Sequence, residues 1–225
     1  MKLATTFTTA ILLLVVFAAG PSAAQGDKFV YADFEKTDNG RPVSNQGGLI
    51  QIYTAQESTP VKFKGVAAAN PAAPELVVPK NDAKNHLASF QYALTGPNQW
   101  AQVTLEIQGR PAKDGKPIAD DVSSYKHLAL QLYATGTDSI RVEFISHGQG
   151  INIDSGFPQL PIRLKPGLNT YEIPLKGLSQ PSWVQERVDT KEVMKKLTAI
   201  SISVYCNQCT PQQGMVAVDN LVFEK

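Results

Sequence analysis

Apolar and polar residues alternate at period two along much of this chain. In HLALQLYATG, Leu128, Leu130 and Leu132 fall on one side while Gln131 and Tyr133 fall on the other. In SIRVEFISHG, Ile140, Val142 and Phe144 oppose Arg141, Glu143 and His147, and in AISISVY, Ile200, Ile202 and Val204 oppose Ser201, Ser203 and Tyr205. This spacing predicts strands with one buried face, since successive side chains of a strand point to opposite sides. FVYADFE (29–35), GLIQIYT (48–54), HLASFQYAL (86–94), QWAQVTLEIQG (99–109), LPIRL (160–164), NTYEIPL (169–175) and MVAVDNLVF (215–223) read as further strands, separated by turn-rich stretches such as LTGPNQ, RPAKDGKP, ATGTDS and LKPGLN. Only TKEVMKKL (190–197) reads as a short helix, with Asp189 or Thr190 as its cap. Many strands with almost no helix predict an all-β fold of two packed antiparallel sheets. Residues 65–85, rich in Ala, Pro and Asn without periodicity, read as a long surface loop, and residues 113–125 as a polar excursion.

The N-terminal stretch MKLATTFTTAILLLVVFAAGPSAAQ changes the picture of where this fold works. It carries Lys2, the apolar run Ala10 to Ala19, and small residues Ser22 and Ala24 at the positions a signal peptidase reads, which predicts a secretory signal over residues 1–24 and a mature domain over 25–225. The apolar run falls short of the roughly 20 residues a membrane span needs, and no later segment approaches that length. A lipid anchor is not expected, because no Cys follows the cleavage point. Cleavage takes Lys2 away and turns the formal charge from +1 to zero. A neutral chain with no basic run is a poor ligand for nucleic acid. The length suits one sizeable sandwich, and no internal repeat is present.

Cys206 and Cys209 are the two cysteines. Exported thiols oxidise, so a disulfide across this short turn is expected. Redox catalysis places CxxC at a helix N-terminus, whereas this pair follows the strand-like AISISVY. A zinc site needs about four ligands, and two Cys without a nearby His fall short.

In chain order the sequence has a first strand containing DFE, then HLALQLYATG, SIRVEFIS, LPIRLKPGLNTYEIPL, Trp183, the helix-to-strand run VMKKLTAISISVY and a closing VAVDNLVFEK. This set resembles the galactose-binding-like jelly roll, particularly family 11 carbohydrate-binding modules and the domain of complex I intermediate-associated protein 30. The resemblance spans most of residues 29–225 and implies a jelly-roll sandwich. It also implies a structural calcium ion tying the first strand to the last through Glu35 (or Asp33) and Asp219, an edge where a hard cation finds oxygen ligands. The alternative reading of Asp219-Asn220 is a bulge or strand-end cap held by side-chain hydrogen bonds.

Sugar recognition needs aromatic faces to stack on pyranose rings and planar polar groups to fix hydroxyls. Gln131, Tyr133, Arg141, Glu143, His147 and Tyr205 supply both on the polar faces. If their strands are neighbours they converge on one concave surface, where the resembling modules bind glucan chains: the Tyr and His side chains stack, and Arg141 and Glu143 hold hydroxyls. The bland alternative is a set of solvated outward positions paired across strands. Trp100 shares a strand side with Gln102 and Thr104, as a platform or an edge cover, while Trp183 is expected to pack against the end of the sandwich.

Catalysis is not expected. No GxSxG motif is present, His86, His127 and His147 lack metal-ligand spacing, and nothing in spacing singles out Glu106 or Glu143 with Asp154 as a glycosidase pair. The expectation is therefore a secreted (periplasmic or extracellular), non-catalytic protein that binds a glucan-like carbohydrate. The alternative, implied by the intermediate-associated protein, is an exported scaffold that docks onto another envelope or extracellular protein. One fold hosts many functions, so the site must decide.

Overall fold

The computed structural model describes residues 26–56, 66–68, 75–77, 84–94, 98–209 and 212–225. The expected signal segment lies outside them. The strands are β1 (Lys28–Ala32), β2 (Thr37–Asp38), β3 (Arg41–Pro42), β4 (Ile50–Gln56), β5 (Val66–Ala68), β6 (Glu75–Val77), β7 (Leu87–Leu94), β8 (Asn98–Gln108), β9 (His127–Ala134), β10 (Ser139–Ile145), β11 (Gln159–Arg163), β12 (Asn169–Pro174), β13 (Ala199–Cys209) and β14 (Gln212–Glu224), and the helix is α1 (Thr190–Lys195). β2 and β3 pair only with each other, and the other described strands form two antiparallel sheets. One runs β12-β9-β14-β7-β5, with β1 paired to β14 and β6 to β7; the other runs β11-β10-β13-β8-β4. The fold is the expected all-β sandwich of jelly-roll type with one short helix, which Asp189 caps by accepting from the Lys191 N–H at 2.9 Å.

The period-two pattern forms the core as expected. Leu128, Leu130 and Leu132 of β9, Val103, Leu105 and Ile107 of β8, Ile140, Val142 and Phe144 of β10, and Ile200, Ile202 and Val204 of β13 are all buried between the sheets in one hydrophobic cluster. At one end of it Phe223 is ringed by Phe29, Tyr31, Tyr125 and Phe144, with ring centres 5.8–6.4 Å apart. Such offset and edge contacts add to simple burial.

Three details depart from the sequence expectations. The first strand ends at Ala32 rather than running through Glu35, because Phe34 turns to a φ of 57°. Residues 65–85 are not wholly loop, since β5 and β6 pair with β7 inside that span. The hairpin of β2 and β3 was hidden in a stretch without hydrophobic alternation; its turn residues Asn39 and Gly40 both adopt positive φ, 49° and 76°, as a tight two-residue hairpin requires.

The last strand carries a bulge. Pairing with β9 slips between Asp219 and Val222, and Asn220 takes a φ of 51°. On its other side β14 pairs with β7 up to Val218 and with β1 from Leu221 onward. The Asp-Asn interruption of the apolar run therefore sits where the strand changes partner.

Candidate functional site

The outward side chains of the five-stranded sheet form rows set by register. Gln51, Glu106, Ser201, Glu143 and Gln159 lie across the strands in one row, and Tyr53, Thr104, Ser203, Arg141 and Pro161 in the next. Gln102 and Tyr205 pair beyond these, then Trp100 and Asn207. The centre of the face is low, because Thr104, Ser201 and Ser203 are small, buried, and joined by a 2.8 Å Thr104–Ser203 hydroxyl contact. Larger side chains stand around them.

Where β10, β11 and β13 meet the loops before β11 and before α1, this face deepens into a cleft of about 560 Å³. Trp100, Gln102, Arg141, Glu143, Trp183 and Tyr205 supply most of its functional groups. Arg141 organises them. Its guanidinium lies over the Tyr205 ring, 4.3 Å from the centre, and one of its terminal nitrogens donates to Gln102 Oε1. The Tyr205 hydroxyl donates to Asn207 Oδ1 at 2.5 Å. Arg141 Nε is buried without a hydrogen-bond partner among the described residues, a donor left for something else to satisfy. Burial pushes the Glu143 carboxyl above the ordinary carboxylate range, Arg141 and the Phe157 N–H pull it partly back, and Glu106 adds to the rise. Burial likewise raises Glu106, against a hydrogen bond from Gln108 and the pull of His147.

Of the residues singled out from sequence, Arg141, Glu143 and Tyr205 share this cleft. Gln131 and Tyr133 do not join them. Their strand, β9, belongs to the seven-stranded sheet, between β12 and β14, so the expected convergence with β10 and β13 fails. His147 also leaves the set: it sits exposed in the turn after β10, edge-on to Phe157 at 5.1 Å, and lines a small separate cleft with Glu106, Gln108 and Arg110. Tyr205 is not a free platform on both faces, because Arg141 covers one of them.

At the edge proposed for calcium, the carboxylates face nitrogen donors. Glu35 accepts from the His86 backbone at 2.6 Å and contacts its Nδ1 at 2.7 Å; Asp219 accepts from Asn85 and from the Asn220 backbone and side chain at 2.7–2.9 Å; Asp33 accepts from Asn45 and the Glu35 N–H. Burial raises the Asp219 carboxyl, these hydrogen bonds oppose the rise, and the charges of Glu35 and Asp33 add to it. Among the described residues no group of three or more His, Cys, Asp or Glu is gathered as a metal ion needs. Cys206 is half-buried near the end of β13, no described cysteine is free, and the Cys209 side chain lies outside the described residues.

The cleft also holds residues that were not among the candidates. Trp183, expected to pack into the sandwich end, is 63% exposed and forms part of the wall. Gln102, named only as sharing a strand side with Trp100, was not among the candidate site residues. The outward parity it shares with Trp100 and Tyr205 was the available signal.

No family model matches the chain, and no curated protein matches it in sequence. Solved structures do match in fold. A family 11 carbohydrate-binding module of the cellulosomal cellulase Lic26A-Cel5E of Clostridium thermocellum is 16% identical with a TM-score of 0.52, covering 88% of this chain and 94% of that one. The family 11 module from Clostridium thermocellum in complex with a β-1,3-1,4-mixed-linked tetrasaccharide gives the same identity and TM-score over 88% and 95%. A family 30 carbohydrate-binding module is 12% identical at a TM-score of 0.45, over 77% and 99%. At this identity the family 11 likeness establishes a shared fold.

Proposed function

We propose that this protein binds a carbohydrate chain in the cleft on the outer face of its five-stranded sheet, without chemistry of its own. The observation that carries the reading is the pairing of two tryptophans, Trp100 and Trp183, with a fixed set of planar polar groups, Gln102, Arg141 and Glu143, in one concave site. Indole faces cover the apolar sides of sugar rings, and the polar groups satisfy the hydroxyls. The unpartnered Arg141 Nε is a donor such a ligand can take up. The shared fold with a module seen in complex with a mixed-linked tetrasaccharide supports a β-glucan as the first ligand to try.

The absence of catalysis is part of the proposal. Of the carboxylates considered for a glycosidase pair, Glu143 lines this cleft, Glu106 lies in the same row of the face but lines the cleft by His147, and Asp154 lies beyond Trp183. The structural neighbours carrying weight are binding modules. We further propose that the chain is exported, with the segment before Gln25 removed and Cys206 bonded to Cys209, as an oxidising compartment favours. A calcium ion on Glu35 and Asp219 is a separate proposal. It requires the His86 backbone and ring, Asn85 and Asn220 to give up their hydrogen bonds to these carboxylates, and a chelator-dependent fall in melting temperature is its test.

Calorimetric titration of residues 25–225 with the mixed-linked tetrasaccharide tests the main reading. Binding lost on Trp100→Ala and Arg141→Ala, with melting temperature kept, supports it. Silence toward β-glucans, mannans and xylans overturns it in favour of a docking scaffold for another exported protein.

A further inference from the structure

The indole that walls this cleft faces a second one on its other side. Trp183, Asn152, Asp154, Gln185 and Glu186 contribute to an open trough of about 440 Å³ running along the loops before β11 and before α1. Trp183 is therefore a ridge between two concavities.

An exposed tryptophan on a loose loop would mean little, but this loop is fixed. The Gln180 side chain donates to Gly156 O at 3.1 Å and Glu186 O at 3.2 Å and accepts from the Val188 N–H at 2.8 Å, tying the two loops together. Val184, buried, donates its N–H to Pro181 O at 3.2 Å, and Arg187 donates to the same carbonyl at 3.2 Å. Gly156, at φ 73°, leaves room for the ring: a Cβ there would stand 2.3 Å from Val184 Cγ2 and 2.9 Å from Trp183 Cη2. A large apolar surface kept in water yet held in place is arranged for a contact, because pre-ordering lowers the entropic cost of binding.

We propose that the trough is a second saccharide subsite and that one uncharged glycan chain crosses the Trp183 ridge to occupy both clefts. This rests on the first cleft being a sugar site. The chain crossing the ridge stacks on the indole. Asn152, Asp154, Gln185 and Glu186 then meet its hydroxyls, Asn152 Nδ2 being held by Glu186 Oε2 at 3.1 Å. The class of glycan follows from charge. The trough is lined by two carboxylates and by no lysine or arginine, so it accepts a neutral chain and repels one built from uronic acids or sulfated sugars.

The test is calorimetric titration with the mixed-linked tetrasaccharide, with longer oligosaccharides of the same linkage, and with oligogalacturonates of matching length. Affinity should rise about tenfold from the tetrasaccharide to the longer neutral chains, a modest gain for a second stacked and hydrogen-bonded unit. Asp154→Ala combined with Glu186→Ala should bring the ratio of long-chain to tetrasaccharide affinity to about one, with melting temperature unchanged, since both side chains are exposed. Longer chains that bind no better than the tetrasaccharide, a ratio untouched by the double substitution, or an equal gain for oligogalacturonates overturns the second subsite while leaving the first reading standing. Silence at every length overturns both.

Discussion

The guanidinium of Arg141 lies 4.3 Å from the centre of the Tyr205 ring, and the two residues reach each other from neighbouring strands of one sheet. The ring therefore serves first as a bed for the cation. Tyr205→Phe keeps that bed and should change tetrasaccharide affinity by less than about threefold. Tyr205→Ala frees Arg141 and should weaken binding about tenfold or more, the scale of a partly desolvated cation–π contact. Titration calorimetry on the two variants separates ring stacking from hydroxyl loss.

Acid should stabilise this fold through Glu106 and Glu143. Burial raises both carboxyls, so between the ordinary carboxylate range and the raised values the folded chain holds more protons than the unfolded one. Stability from these groups is thus full below that window and is lost as pH rises through it. Glu35, lowered by its hydrogen bonds to His86, and Glu224, lowered chiefly by Lys28, work oppositely and only at lower pH, where their contribution disappears as they protonate. Glu35 is exposed and Glu224 half-buried, and solvent screening keeps both contributions small. Asp219, also raised by burial, acts in the same direction; calorimetric melts from neutral pH down to about pH 5 should show a rise of up to a few degrees, and Glu106→Gln with Glu143→Gln should remove the part these two supply.

Gly156→Ala should cost about 1–3 kcal/mol, because the new methyl meets Val184 and Trp183 and the positive φ strains any side chain. Chemical denaturation measures the loss. Trp183 fluorescence should shift in the folded variant, since the new methyl stands against the indole, and binding should weaken with it.

Asp219→Asn should destabilise the protein by about 1–3 kcal/mol. Both oxygens of this buried carboxylate accept from amide nitrogens, and an asparagine would turn one of its own N–H groups toward those donors. A melt with and without calcium on the same variant shows whether the loss belongs to the hydrogen bonds or to an ion.

The sheet faces were legible because period-two alternation is a local signal: Arg141, Glu143, Ser203 and Tyr205 have the outward parity assigned to them. Parity says which side of a strand a residue takes and nothing about which sheet the strand joins. Gln131 and Tyr133 carry the same pattern and fell on the far side of the molecule for that reason. Trp183 was hidden differently. Its exposure depends on Gly156 and Gln180 holding two loops in contact, a tertiary relationship with no periodic trace. The β2–β3 hairpin had a readable turn in Asp-Asn-Gly but strands of two residues, too short to alternate.

β14 follows every other described strand in sequence and is an interior strand of its sheet, bonded to β9 on one side and to β7 and then β1 on the other. During synthesis, β9 and β7 wait without their shared neighbour until residues 212–224 emerge. The seven-stranded sheet thus closes only once Gln212–Glu224 have been made, and the growing chain carries open strand edges until then. Loss of Leu221–Glu224 removes the seam that joins β1 to the rest of the sheet, so the damage should appear as failed maturation in the cell rather than as an altered but working molecule.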